Sequence, residues 1–191
     1  MPIAFTAEER SAITEKLLAS ARLFVKEQSA RKITVEQLTA SAGISKGAFY
    51  RFYPSKEHLF YALLRQMHAE LYGPAMQLLQ EGRGTPARQL TQAILAGCRA
   101  LDESGLCRFW EQDAPEILCA IPPEERRAQQ EQEYAVFHRF LTQSGTLKVP
   151  EEQAVNALRS LILTVPMRKK LGEDYPRILF WMAQGICAQL F

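Results

Sequence analysis

The sequence predicts an all-α fold, and three observations carry that expectation. Apolar residues recur at helical spacing, as in Ile13, Leu17, Ala21 and Phe24 and again in Leu59, Leu63, Met67 and Leu71. Strand-like alternation bounded by turn residues does not occur over any useful length. Helix-capping signals and helix-stopping Gly and Pro residues alternate along the chain at the right intervals.

The elements follow in order. Thr6-Ala7-Glu8-Glu9 fits a capping box, in which the threonine oxygen accepts the Glu9 amide and the glutamate reaches back; a first helix is expected from about Ala7 to Ser29. Thr34-Val35-Glu36-Gln37 repeats the pattern and opens a short helix that Gly43 closes. Ser45 is placed to cap a third helix over Lys46 to Tyr53, and Ser55 a fourth reaching about Tyr72, where Gly73-Pro74 should stop or kink it. Glu81 to Thr85 reads as a loop with Pro86 at the first position of the next helix. Pro115, Pro122-Pro123, Ser144-Gly145, Pro150 and Gly172 divide the remainder into about five helices. Internal repeats and low-complexity tracts are lacking.

Composition bounds the function classes. The 191 residues hold 23 Lys+Arg against 21 Asp+Glu, with 47% hydrophobic residues, which excludes collagen-like, disulfide-scaffold and wholly disordered chains. Cys98, Cys107, Cys119 and Cys187 lack zinc-knuckle or redox-dithiol spacing, and with only three histidines they read as reduced, hydrophobe-like thiols, a redox-sensing cysteine being the alternative. No metal or other cofactor is expected. Met1 to Thr6 lacks the basic and apolar regions of a signal peptide, and the apolar stretch Ile178 to Phe191 is too short for a bilayer. A cytoplasmic protein without membrane association is expected. The small net charge hides a local excess. Residues 1–72 hold 10 basic and 7 acidic side chains, and between Arg31 and Lys56 five basic residues face Glu36 alone.

Two short helices joined by a glycine turn form a helix-turn-helix. Val35, Leu38, Ala42, Ile44 and Phe49 supply its small core, and Gly43 suits a left-handed turn that costs any residue with a Cβ. Ser45-Lys46-Gly47-Ala48 leaves the start of the following helix small and cationic, the form that fits into a major groove. Thr34, Tyr50, Tyr53 and Ser55 offer hydroxyls to phosphate oxygens, while Lys46, Arg51 and Lys56 would release counterions. Three other readings compete. The basic face could be plain solvated surface, and the chain a helical interaction adaptor that binds no DNA. Gly43-Ile44-Ser45-Lys46-Gly47 also matches the G-x-S-x-G elbow of serine hydrolases, but that motif needs a preceding strand, so no enzyme and no catalytic residue is expected.

The string from Thr34 to Leu59, TVEQLTASAGISKGAFYRFYPSKEHL, resembles the tetracycline-repressor (TetR) family of bacterial regulators. The shared pattern is the Thr-Val opening, the Ala-Gly-hydrophobic-Ser turn, the recognition-helix tyrosine and the Ser-Lys-Glu that opens the next helix. Thr39 stands where the family usually has alanine, Phe52 where Tyr or His is usual, and Tyr53 where Phe is usual. The resemblance implies phosphate contacts from Thr34, Tyr50 and Lys56 and groove contacts from Ser45, Lys46, Gly47, Ala48 and Arg51; Tyr53 is added as a further donor.

The same resemblance implies a DNA-binding domain over residues 1–54 and a helical ligand-sensing and dimerisation domain over 55–191, with helix 55–72 connecting them. It further implies a homodimeric repressor on a palindromic double-stranded operator, released by an unknown small-molecule effector. The apolar segments Pro150 to Leu171 and Tyr175 to Phe191 are either monomer core or half of a four-helix dimer interface. Candidate effector contacts, chosen as apolar and aromatic groups with few polar ones, are Met67, Leu71, Cys98, Phe109, Trp110, Asp113, Tyr134, Phe137 and Met167.

Overall fold

The computed structural model describes residues 5–82 and 84–191. The leader reading of Met1 to Ala4 and the loop reading of Arg83 lie outside them. Every regular element among the described residues is helical.

Helix α1 (Ala7–Glu27) begins in the expected capping box: the Glu9 amide donates to Thr6 Oγ1 at 3.2 Å, and the Thr6 amide to Glu9 Oε2 at 2.8 Å. A 3-10 turn (Ala30–Lys32) leads into α2 (Val35–Ala42), whose Thr34–Gln37 capping box closes with bonds of 3.2 and 2.8 Å. The one-turn α3 (Lys46–Phe49) and the long α4 (Lys56–Glu81) follow. Then come α5 (Pro86–Glu103), a π-helical turn (Phe109–Asp113), α6 (Ala114–Ala120) and α7 (Pro123–Ser144). The chain ends with α8 (Glu151–Ile162), a 3-10 turn (Val165–Met167), α9 (Arg168–Leu171) and α10 (Tyr175–Leu190).

Two elements differ from expectation. Gly73-Pro74 does not end α4, which continues to Glu81 with Pro74 inside it. An interior proline costs about 3 kcal/mol. Leu71 and Leu79, on either side of it, are buried, and each buried leucine contributes about 1.5–3 kcal/mol, so packing outweighs the break. Pro74 itself points to the exposed side. The third helix is also shorter than its predicted span. Regular α-bonding ends at Phe49, and Arg51 and Phe52 close tighter bonds to Ala48 and Phe49 at 3.0 and 2.9 Å.

The chain forms two compact units. The first comprises the residues up to Gln66 together with Arg108–Pro123, and the second Met67–Cys107 with Glu124–Phe191. The first unit therefore draws in a segment that the sequence division at residue 54 assigns to the other domain. Its core is Leu17, Ala21 and Val25 of α1, Leu38 and Ala42 of α2, Phe49 of α3, and Leu59, Phe60 and Leu63 of α4. Phe109 completes it, its ring 6.1 Å from that of Phe60. In the second unit α5 packs against α10, and α8 against both. A Cβ at Gly97 would lie 3.3 Å from the Leu71 carbonyl oxygen, so the glycine lets α5 pass close to the α4 backbone.

Candidate nucleic-acid interface

The turn between α2 and α3 is built locally. Gly43 takes φ 72° and ψ 31°, and the Ile44 amide donates to the Thr39 carbonyl at 3.0 Å, closing α2. Ser45 then caps α3 by accepting the Ala48 amide at 3.1 Å. Phe49 is fully buried and anchors the turn, so Ser45, Lys46 and Gly47 are held outward and exposed, with Ala48 half-buried. The cap uses an oxygen lone pair of Ser45, so its O–H remains available as a donor, whereas the Thr34 hydroxyl also donates to the Glu36 carboxylate. A Cβ at Gly47 would meet only Ser45 Oγ, at 4.0 Å, so the protein has room for a side chain there.

The remaining predicted contacts fall into two groups. Tyr50 is 51% exposed, its ring edge-on to Phe49 at 5.4 Å. Lys46 is exposed and pairs with Glu36 across the two helices at 2.5 Å. Arg51 is exposed at the end of the element, its guanidinium 4.9 Å over the Phe5 ring, while Arg10 donates to the Arg51 carbonyl at 3.3 Å. Phe52, which departs from the family pattern, fills this staple: it lies 5.5 Å from Phe5 with the Arg10 guanidinium over its face. Tyr53 is half-buried 6.0 Å from Phe49, and burial pushes its phenol pKa up. Thr39 is buried, and its hydroxyl donates to the Glu36 carbonyl of its own helix at 3.1 Å. Lys56 is turned inward: its ammonium donates to the carbonyls of Ala30, Arg31 and Ile33 at 3.4, 3.0 and 3.1 Å. It therefore fixes the turn that precedes Thr34.

That turn is held from a second side by residues that local sequence reasoning does not find. Ser29 donates to Asp113 Oδ1 at 2.5 Å, and Arg108 donates to the Val25 carbonyl at 2.6 Å near the end of α1. Asp113 is 5% exposed. Its partner lies 84 residues earlier, so no spacing pattern reports the contact.

The nine effector candidates divide between the two units. Phe109, Trp110 and Asp113 belong to the first unit; Met67, Leu71, Cys98, Tyr134, Phe137 and Met167 belong to the second. Within the second, Met67, Leu71, Cys98 and Phe137 are buried, Met167 is half-buried and Tyr134 is 45% exposed. Burial drives the Cys98 thiol pKa up to about 12, so it is an inert core group.

Two features of this unit lie outside the prediction. Glu133 is 2.7 Å from His68 Nδ1 and 3.2 Å from Arg159, and the Tyr72 ring stands edge-on to those of Phe137 and Phe140 at 5.7 and 6.3 Å. Burial pushes the Glu133 carboxyl pKa up, but His68, Gln129 and Arg159 outweigh that and hold it below the ordinary value. A cavity of about 410 Å³ is lined by Asp102, Arg168, Lys169, Gly172, Glu173, Tyr175 and Pro176, none of them a predicted contact. Among the described residues no group of His, Cys, Asp and Glu side chains is arranged to hold a metal ion. No helix among them is long and apolar enough to cross a membrane.

Comparison with known proteins agrees with this geometry. Residues 17–63 match the family model described as bacterial regulatory proteins, tetR family. The nucleoid occlusion factor SlmA of Haemophilus ducreyi is 34% identical over 71 residues, 37% of this chain and 34% of that protein. SlmA of Escherichia coli O1:K1 / APEC is 32% identical over 85 residues, 44% and 43% of the two chains. The chain thus spans about a third to two fifths of the length of these relatives. Fold similarity extends further. The Bacillus subtilis transcriptional regulator FadR, solved in complex with stearoyl-CoA, superposes with a TM-score of 0.71 at 12% identity over 93% of this chain and 99% of that one. A tetR-family regulator from Streptomyces coelicolor gives 0.66 at 17% identity over 97% and 82%. The serine of the G-x-S-x-G string follows helix α2 and an αL glycine instead of the strand that the hydrolase elbow needs. The chain thus carries the tetR-family sequence pattern over residues 17–63 and shares the fold of these solved regulators over nearly its whole length.

Proposed function

We propose that the protein is a DNA-binding transcriptional regulator, acting as a homodimeric repressor on a palindromic operator and released by a small molecule bound in its second unit. The observation that carries the DNA-binding reading is the helix-turn-helix itself. Gly43 turns the chain, Phe49 anchors it, and Ser45, Lys46, Gly47 and Tyr50 stand exposed where a groove would be entered. The tetR-family match over residues 17–63 covers this segment and supports the reading.

Dimerisation is supported by exposed apolar side chains near the end of the chain. Leu163, Phe180 and Trp181 are 61%, 42% and 58% exposed, and Gly185 and Ala188 keep the rest of that α10 face low. Large apolar groups left in water in this way mark interaction surfaces. Two-fold symmetry would set two α3 elements on successive major grooves, about 34–36 Å apart. Release requires the effector to prefer the non-binding state, by about 5.5 kcal/mol for a full 99:1 reversal. Selection of bound duplexes from a random pool tests the reading: a palindromic consensus is expected. Recovery of no sequence and no salt-sensitive DNA retention would leave the helical-adaptor reading in its place.

A further inference from the structure

Glu36 is the one acidic residue between Arg31 and Lys56, a stretch with five basic side chains. It sits in the first turn of α2, two residues after the capping Thr34, and its side chain is 61% exposed. Its carboxylate takes the Lys46 ammonium across the helix-turn-helix at 2.5 Å. These two exposed charges of the helix-turn-helix therefore neutralise each other in the free protein. Lys46 pulls the Glu36 pKa below its usual value and Glu36 raises that of Lys46, so both stay charged over the physiological range.

Any duplex, whatever its sequence, presents phosphates to this face. A lysine already paired with a carboxylate releases no counterion when it meets a phosphate unless the pair opens, and an opened Glu36 stands beside the phosphate as a like charge. We propose that Glu36 is a specificity-determining residue that acts by penalising DNA binding in general. It withholds about one charge of the sequence-independent phosphate attraction, so that stable residence depends on base-edge contacts from α3. This inference rests on the DNA-binding reading above and adds to it a role for an acid that would otherwise serve only the α2 N-terminus.

Salt dependence separates the two roles. Full-length wild type, Glu36→Gln and Glu36→Asp are titrated against a random-sequence duplex and against a duplex selected by the wild type, across a series of salt concentrations. For Glu36→Gln on random DNA, the slope of log affinity against log salt should steepen by about 0.9, with affinity rising about fivefold near 0.15 M salt. The gain on the selected duplex should be smaller, so the specificity ratio narrows. Glu36→Asp, which keeps the charge, should retain the wild-type slope. A slope for Glu36→Gln equal to or shallower than wild type overturns the proposal while leaving salt-dependent DNA binding intact. Absence of salt-dependent retention by the wild type removes the DNA-binding reading and this inference with it. A helix-capping role alone would change thermal stability and leave the slope where it was.

Discussion

Gly47 is the residue at which fold and function make the clearest separate demands. Its Cβ position is open on the protein side, and glycine in a helix costs about 0.5–1 kcal/mol relative to alanine. Gly47→Ala should therefore leave thermal stability unchanged or raise it slightly, yet weaken operator binding at least tenfold if α3 meets a base edge through its backbone. Unfolding midpoint and DNA affinity measured on the same variant check both halves. Glu133 makes the opposite kind of case, because its role is purely internal. Its folded pKa is depressed, so the stability it contributes is present above the unfolded value and is lost as pH falls through the folded one. Glu133→Gln should cost about 1–3 kcal/mol near neutrality by leaving His68 and Arg159 without their carboxylate. The gap to wild type should close in acid below the ordinary carboxylate range, which chemical denaturation at a series of pH values would read. The exposed placement of Ser45, Lys46 and Gly47 was legible because each occupies a fixed position relative to a cap or a turn. The inward turn of Lys56 and the Glu133 cluster were not, since their partners are set by packing between segments more than twenty residues apart.

Among the elements, those governed by local chemistry match their sequence signals closely. Both capping boxes form, Gly43 adopts the left-handed conformation, Ser45 caps α3 and Pro86 opens α5. The long helix α4 is where local signals fail, because Gly73-Pro74 is a strong stop only when nothing beyond it is buried. Ala75 and Leu79 continue the buried face, and that tertiary gain carries the helix across the proline. Pro74→Ala should restore the missing amide donor on an exposed face and stabilise the protein by about 1–3 kcal/mol. A fall in the unfolding midpoint would show that the ring itself is packed. The shortened α3 has the converse origin. Phe49 must be buried to anchor the turn, and the chain then tightens immediately to bring Phe52 onto Phe5 and Arg10.

For the whole molecule, the all-α architecture was readable from periodicity, whereas the composition of its units was not. Helical spacing reports which face of a segment is apolar and says nothing of which distant segment covers it. The proposed dimer is decided at this scale too. Trp181 lies exposed with the Arg177 guanidinium 5.6 Å over its ring, and Trp181→Asp should shift the protein towards monomer by at least 2 kcal/mol of association energy. Sedimentation over a concentration series checks this, and an unchanged dimer would move the interface elsewhere. The inclusion of Arg108–Pro123 in the first unit bears finally on the order of events during synthesis. A nascent chain that has exposed only α1 to α4 still lacks the partners of Ser29, of the Val25 carbonyl and of the Phe60 ring. Translation at roughly 5–20 residues per second leaves the helix-turn-helix waiting several seconds for them. The helix-turn-helix unit is thus completed only after Met67–Cys107 of the second unit has been synthesised.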